Sequence, residues 1–174
     1  MRELSLSNFG LLIAYLLPGF VALWGVGELS ATARDWLRLG PAVPTVGGFL
    51  YVTMASVGTG LIVNTVRWML VDTLHHRTGI SAPSWDFRNL PANLPAFELL
   101  VEAHYRHYLF HANLLVAMTF DYLVWTASGR SVAFGWLDAA FFALVVVLFA
   151  GSRDTLQKYY RRGEQLLASR AARE

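Results

Sequence analysis

Four blocks of apolar residues, at about 9–27, 46–66, 108–127 and 132–151, dominate the pattern of this chain. Each is long enough to cross about 30 Å of hydrocarbon as a helix, which takes roughly 20 residues. The pattern predicts an all-α integral membrane protein with four transmembrane helices. Ser128, Gly129, Arg130 and Ser131 alone separate the last two blocks, a turn so short that it makes them an antiparallel hairpin. Between the first two, Arg34, Trp36, Leu37, Arg38 and Leu39 suggest a short interfacial helix closed by Gly40 and Pro41, with Pro44 at the start of the second span.

Three of the helices are expected to outlast the membrane. No proline interrupts the chain from residue 46 to about 77, so one helix of about 30 residues, near 45 Å at 1.5 Å per residue, fits there. Asn93 is a plausible N-cap, with Pro95 in the first turn, for a third helix that begins about a dozen residues before Tyr108. The fourth runs on as a basic amphipathic C-terminal helix over 152–172, with Leu156, Tyr159, Tyr160, Leu166 and Leu167 on its apolar side. Together these extensions form a short cytoplasmic helical bundle. The loop at 77–94 carries Pro83, Trp85, Phe87, Leu90, Pro91 and Leu94 as anchors on that bundle or in the membrane interface. One membrane domain over 1–174 accounts for the chain.

Composition agrees with the pattern: 55% of residues are hydrophobic and 15% charged, more apolar than a soluble core of this size requires. The absence of cysteine excludes disulfides, thiolate ligands and a cysteine nucleophile. The small net charge of +2 hides an uneven distribution. With four crossings, Arg2, Arg67, Arg77, Arg88, Arg106, Arg153, Lys158, Arg161, Arg162, Arg170 and Arg173 share one side, against Arg34, Arg38 and Arg130 on the other. Eleven against three predicts an inner-membrane protein with both termini and the 77–94 loop cytoplasmic. A rival reading takes 9–27 as a signal peptide cleaved near Ala31, Thr32 and Ala33; the length of the run and the Glu3 beside Arg2 argue against it.

Ionisable groups beside a bilayer need partners, water or a task. The candidate polar cluster at the cytoplasmic membrane edge is Asn64, Arg67, Asp72, His75, His76, Glu98, Glu102, His104, Arg106, His107 and His111. Ser56, Gly60, Asn64, Arg67, Val71 and His75 recur at steps of three or four, a stripe that suits either tight helix packing or the wall of an aqueous path in an oligomer. On the third helix His104, His107 and His111 share one face, while Glu98, Glu102, Arg106 and Asn113 gather opposite, with Glu102 and Arg106 placed as an i, i+4 pair. Two polar faces call for two neighbours, one of them expected to be a second protomer. Asp121 and Asp138 lie inside the third and fourth spans, either bonded to Tyr122, Trp125, Trp136 or Arg130 or facing a central axis as carboxylate rings.

Two local likenesses concern the histidines. The spacing of His104, His107 and His111 resembles one histidine box of the membrane di-iron desaturases and hydroxylases, which implies a metal site there; that family uses several boxes, and this chain has five histidines in all. Arg106 followed after four residues by His111 resembles the short signature of HEPN ribonucleases, which implies RNA cleavage across a dimer, in a place where a membrane span limits access. Without a metal the histidines form a proton-sensitive seam. No phosphate loop, G-x-S-x-G elbow or H-E-x-x-H helix is present.

These readings converge on a non-enzymatic, self-associating membrane effector or channel-like protein that answers a cytoplasmic cue by altering membrane permeability. In size and layout it is similar to the small multi-span effectors and accessory proteins of bacterial antiviral systems. No cofactor is expected. Expected partners are membrane lipids, other copies of the chain and, through Lys158, Arg161 and Arg162, anionic headgroups or a cytoplasmic protein, rather than nucleic acid. The alternatives are a metal-dependent enzyme acting on lipid at the histidines and a passive scaffold that recruits a soluble partner.

Overall fold

The computed structural model describes residues 6–37, 46–129 and 134–168, and among them every regular element is helical. In chain order these are α1 (Leu6–Leu29), α2 (Ala31–Leu37), α3 (Val46–Arg67), α4 (Thr73–Arg77), α5 (Leu90–Leu100), α6 (Arg106–Ala127) and α7 (Trp136–Ala168). Helix α3 runs into α4 through a π-helical turn, Trp68–Asp72, and α5 runs into α6 through a second one, Val101–Tyr105. Two continuous helices, Val46–Arg77 and Trp136–Ala168, are long and apolar enough to cross a membrane, and most of their apolar stretch is not covered by the rest of the chain. A soluble domain buries such a surface. Phe49, Leu50, Met54, Ile62, Trp68, Trp136, Val146 and Val147 are instead exposed.

Helix α1 is the hub, packed on α3 along one side and on α6 along the other, with α7 against the far side of α6. Its approach to α3 is set by glycine. A methyl group on Gly19 would overlap the Ser56 carbonyl oxygen, and one on Gly60 would overlap the Tyr15 carbonyl oxygen. Pro18 is fully buried beside this crossing. The stripe of Ser56, Gly60, Arg67, Val71 and His75 is buried along its length, with Asn64 half-buried, and its upper part faces α1 of the same chain. At Ser56 and Gly60 it is a packing seam within the chain.

At the opposite end of the molecule from α2, the start of α6, α4, α5 and the second half of α7 form a compact polar cap. Trp85, in the connection before α5, fills it. Its ring makes edge contacts with Phe97 and Tyr159 at centroid distances of 5.7 and 5.3 Å, and it sits so close to Gly163 that a side chain there would displace it. Asn89 Nδ2 donates to the Leu167 carbonyl at 2.8 Å and fastens the start of α5 to the end of α7. Phe87 and Leu94, expected as anchors, are exposed.

The third helix starts earlier than expected. A single 3₁₀ turn, Phe87–Asn89, leads into α5 at Leu90, with Pro91 in the first turn; Asn93 is inside the helix, donating to the Asn89 carbonyl at 3.0 Å, and Pro95 is in its second turn. Pro91 needs no backbone donor at that position, so it starts the helix as well as Pro95 would have. Helix α7 begins at Trp136, with Phe134 and Gly135 outside it, where the pattern placed a span from 132. The expectations resting on Arg2, Arg38, Leu39, Gly40, Pro41, Pro44, Arg130, Ser131, Arg170 and Arg173 fall outside the described residues.

Gly60→Leu should lower stability by about 3 kcal/mol, because the new side chain meets backbone that cannot give way. Gly58→Ala, which opens onto empty space, should be neutral or slightly stabilising. Thermal unfolding in detergent checks the pair, and equal midpoints for the two variants would contradict the α1–α3 crossing.

Candidate functional site

A buried charge sits where the cap meets the apolar helices. Arg67, the last residue of α3, is only 4% exposed. Burial of an unpaired guanidinium is prohibitive, so its donors must be matched. Arg67 Nη1 donates to Asp72 Oδ1 at 2.7 Å and to the Tyr108 hydroxyl at 2.8 Å, and Nε donates to Asn64 Oδ1 at 3.2 Å. The Tyr108 hydroxyl in turn donates to the same Asp72 oxygen in a very short contact, which closes a three-membered knot. The guanidinium also lies 5.1 Å from the centre of the Tyr108 ring, over its face.

The backbone explains how these groups meet. Arg67 and Asp72 bracket the first π turn, and Tyr108 comes shortly after the second. A π turn inserts one extra residue into the helix and re-aims the side chains beyond it, a feature often found at functional positions. With regular α-helical spacing, residues 67 and 72 would lie about 140° apart around the axis. Asn64, Arg67 and Asp72 were legible as a polar cluster in the sequence. Tyr108, which completes the knot, stands in the sequence as the first residue of an apolar block.

The histidines diverge to separate partners. His75 is fully buried, its Nε2 3.0 Å from Ser152 Oγ of α7. The Ser152 hydroxyl donates to the Phe149 carbonyl at 2.8 Å, so in this network His75 Nε2 carries the proton and Nδ1 is left as a buried acceptor without a partner. His76 approaches the Tyr160 hydroxyl at 3.4 Å with the two rings stacked. Arg162 Nη1 donates to His104 Nε2 at 2.7 Å, a bond that only a neutral imidazole can accept. His107 is exposed, and the His111 ring packs on Gly151 of α7. Among the described residues no three His, Asp or Glu side chains converge to hold a metal ion, so His104, His107 and His111 do not form the box that their spacing suggested.

Burial, and then the neighbouring Arg153, hold the His75 imidazole below its ordinary pKa of 6.5, with His76 adding to the effect and Asp72 opposing it. His104 is lowered in the same way by burial first and then by Arg162, Lys158 and His107, against Asp154. Burial pushes the Tyr159 hydroxyl up to about 12.

The two polar faces of α6 find part of their bonding inside the chain, while Arg106 Nε, His111 Nδ1 and Asn113 Oδ1 are buried without a partner. Arg106 pairs with Glu102 at 3.4 Å, as expected, and its side chain runs over Gly10 of α1. Asn113 is fully buried and donates to the Ala14 carbonyl of α1 at 3.0 Å. Helix α1 is thus a neighbour of α6 within the chain, through backbone contacts of which its apolar pattern gives no sign. Glu98 is exposed, as is Arg161, while Lys158 pairs with Asp154 at 2.6 Å. At the other end Asp138 accepts from the Tyr122 hydroxyl and from Gly135 N–H, both at 2.7 Å, and so caps α7. It realises the local bonding expected for it. Asp121 joins neither Tyr122 nor Asp138 and lies against Gly25 of α1.

The fold and this site define an all-helical protein with two helices fit to cross a membrane and a polar cap locked to them by a buried ion pair. Comparison with family models, curated proteins and solved structures finds no match for this chain.

Asp72→Ala should cost about 3 kcal/mol by leaving Arg67 buried and unpaired, whereas Tyr108→Phe should cost only about 1–2 kcal/mol, since the Arg67–Asp72 bond survives it. A thermal-unfolding cycle with the double variant should reveal coupling between the two; strict additivity would contradict the knot.

For His75 and His104 the folded pKa lies below the unfolded one, so the unfolded chain binds protons first as pH falls through 6.5. Stability should be full above that value and decline below it, and His104→Gln should flatten part of the decline. Melting curves between about pH 8 and 5 check this, and a midpoint that does not move over that range would count against it.

Proposed function

We propose that this chain is a four-span inner-membrane protein with both termini cytoplasmic, whose cap receives a cue from the cytoplasm and passes it to the spans, altering membrane permeability. The observation that carries the reading is the position of the Arg67–Asp72–Tyr108 knot. It joins the end of α3 to the start of α6 at the boundary between cap and apolar helices, with a π turn on each of the two chain segments that enter it. A device meant only to stabilise that boundary needs no buried charge, because apolar residues of similar volume do as well or better.

Two further features support it. In this reading the apolar helices α1 and α6 would serve as the first and third spans beside the two long helices. Arg77, Arg88, Arg153 and Arg161 share the cap end of the molecule, and under the positive-inside rule that end would face the cytoplasm. The cap is also held by contacts that a ligand or a proton can compete for, the Arg162–His104 bond and the Arg153 bonds to Thr78 at 2.7 Å.

Tyr108→Phe, which weakens the knot without emptying it, should increase dye release from liposomes that hold the reconstituted protein, while the wild type stays tight. Folded variants as tight as protein-free liposomes would remove the permeability reading. Topology is checked separately in this cysteine-free chain. Gly129→Cys should react with an impermeant thiol reagent in intact cells and Ser84→Cys should not, and the reverse would overturn the orientation.

A further inference from the structure

Helices α1, α6 and α7 enclose an open cleft of about 260 Å³, lined by Val21, Met118, Asp121, Tyr122, Trp125, Leu137 and Phe141. Its walls are apolar and aromatic apart from one carboxyl group. Asp121 Oδ1 is buried with no side-chain partner, and the backbone of Gly25 is the polar group set against the carboxyl. It is pressed against the backbone of Gly25, where any side chain would collide with it, so the carboxyl group is held in place by shape. Burial disfavours the charged form of such a carboxyl group, so its ionisation would be coupled to the arrival of a counter-charge in the cleft. Beside it Tyr122 stacks on Phe141 with ring centres 3.9 Å apart, and Trp125 leans on Tyr122 at 5.9 Å.

The wall chemistry selects the class of counter-ion. A hard divalent cation takes about six or more oxygen ligands, or keeps several waters of its own. Asp121 is the one carboxylate lining this cleft, and the Tyr122 hydroxyl is committed to Asp138 at 2.7 Å. Aromatic faces and a thioether are poor substitutes for oxygen ligands. They are good neighbours for a weakly hydrated cation whose charge is spread over alkyl groups, which aromatic rings attract through their negative faces.

We propose that this cleft binds a small organic cation of the alkylammonium class, with Asp121 as the counter-charge and Trp125, Tyr122 and Phe141 as the aromatic wall. The site is independent of the cap, the knot and the permeability reading. It lies on α6 thirteen residues beyond Tyr108, between the capped start of α7 and the α1 hub.

The test is titration calorimetry on the full chain in detergent, with choline and with its uncharged carbon isostere 3,3-dimethylbutan-1-ol. Choline should bind saturably and the isostere should not. Asp121→Asn should weaken choline binding by about tenfold or more and Trp125→Leu should weaken it to a smaller degree, as expected for one ionic and one cation–π partner. Asp154→Asn, on the exposed side of the cap, should leave binding unchanged. Absence of saturable choline binding to the wild type, equal binding by the isostere, or undiminished binding by folded Asp121→Asn would each overturn the proposal. If Asp121→Asn does not fold, undiminished binding by Trp125→Leu overturns it in its place.

Discussion

The buried guanidinium of Arg67 is the constraint around which the molecule is arranged. A positive charge at 4% exposure is tolerable only when it is well paired, and its partners are Asn64 and Asp72 of its own continuous helix and Tyr108 of α6. Asp72 reaches it because α3 takes a π turn, and Tyr108 reaches it at the point where α6 leaves another. Those two turns fix where the cap begins. His75, one turn further along, meets Ser152 and so brings α7 into the same layer, and Trp85 and Asn89 close the cap over the end of that helix. Removal of the charge would leave the apolar packing of α1, α3 and α6 without a fixed register relative to the cap.

The apolar half obeys a different logic. Without a hydrophobic driving force between helices in lipid, close approach has to come from small residues and from bonds between backbones and side chains. Gly19 and Gly60 provide the first at the α1–α3 crossing, and Asn113 provides the second by donating to Ala14. Helix α1 is central because it meets both neighbours through such contacts. The outward faces of α3 and α7 have no equivalent, which is why Phe49, Ile62, Val146 and Val147 are uncovered.

Much of this was legible in the residues. The helical class, the continuity of Val46–Arg77, the length of α7, the Glu102–Arg106 pair and the grouping of Asn64 with Arg67 and Asp72 follow from apolar run length and from three- and four-residue spacing. What escaped depends on partners with no periodic signature. Tyr108 reads as one more aromatic residue at the head of an apolar block until Arg67 is placed opposite it. Ser152 reads as a small residue where a span ends, and nothing local tells that it receives His75. The polar face of α6 calls for a neighbour, and α1, whose contribution there is backbone carbonyl and glycine, displays no polar side chain to advertise itself. The histidines were misleading as a set because spacing on one helix takes no account of what the facing helix offers, and α7 offers Arg162 and Gly151 rather than further ligands.

The two π turns also set the way this molecule can deform. Helix α7 is one uninterrupted rod of 33 residues, so a displacement at its Arg162 end is carried along its axis with little to absorb it. The helices that meet at the knot differ, since each holds one surplus residue in a π turn, whose shift along the chain would exchange only the ladder hydrogen bonds of that turn. Passage of that surplus through a segment turns the segment by about 100° about its own axis. Because the first π turn lies between Arg67 and Asp72, a shift of one residue at Trp68–Asp72 would swing Asp72 away from Arg67 and leave the α1–α3 crossing at Gly60 in place.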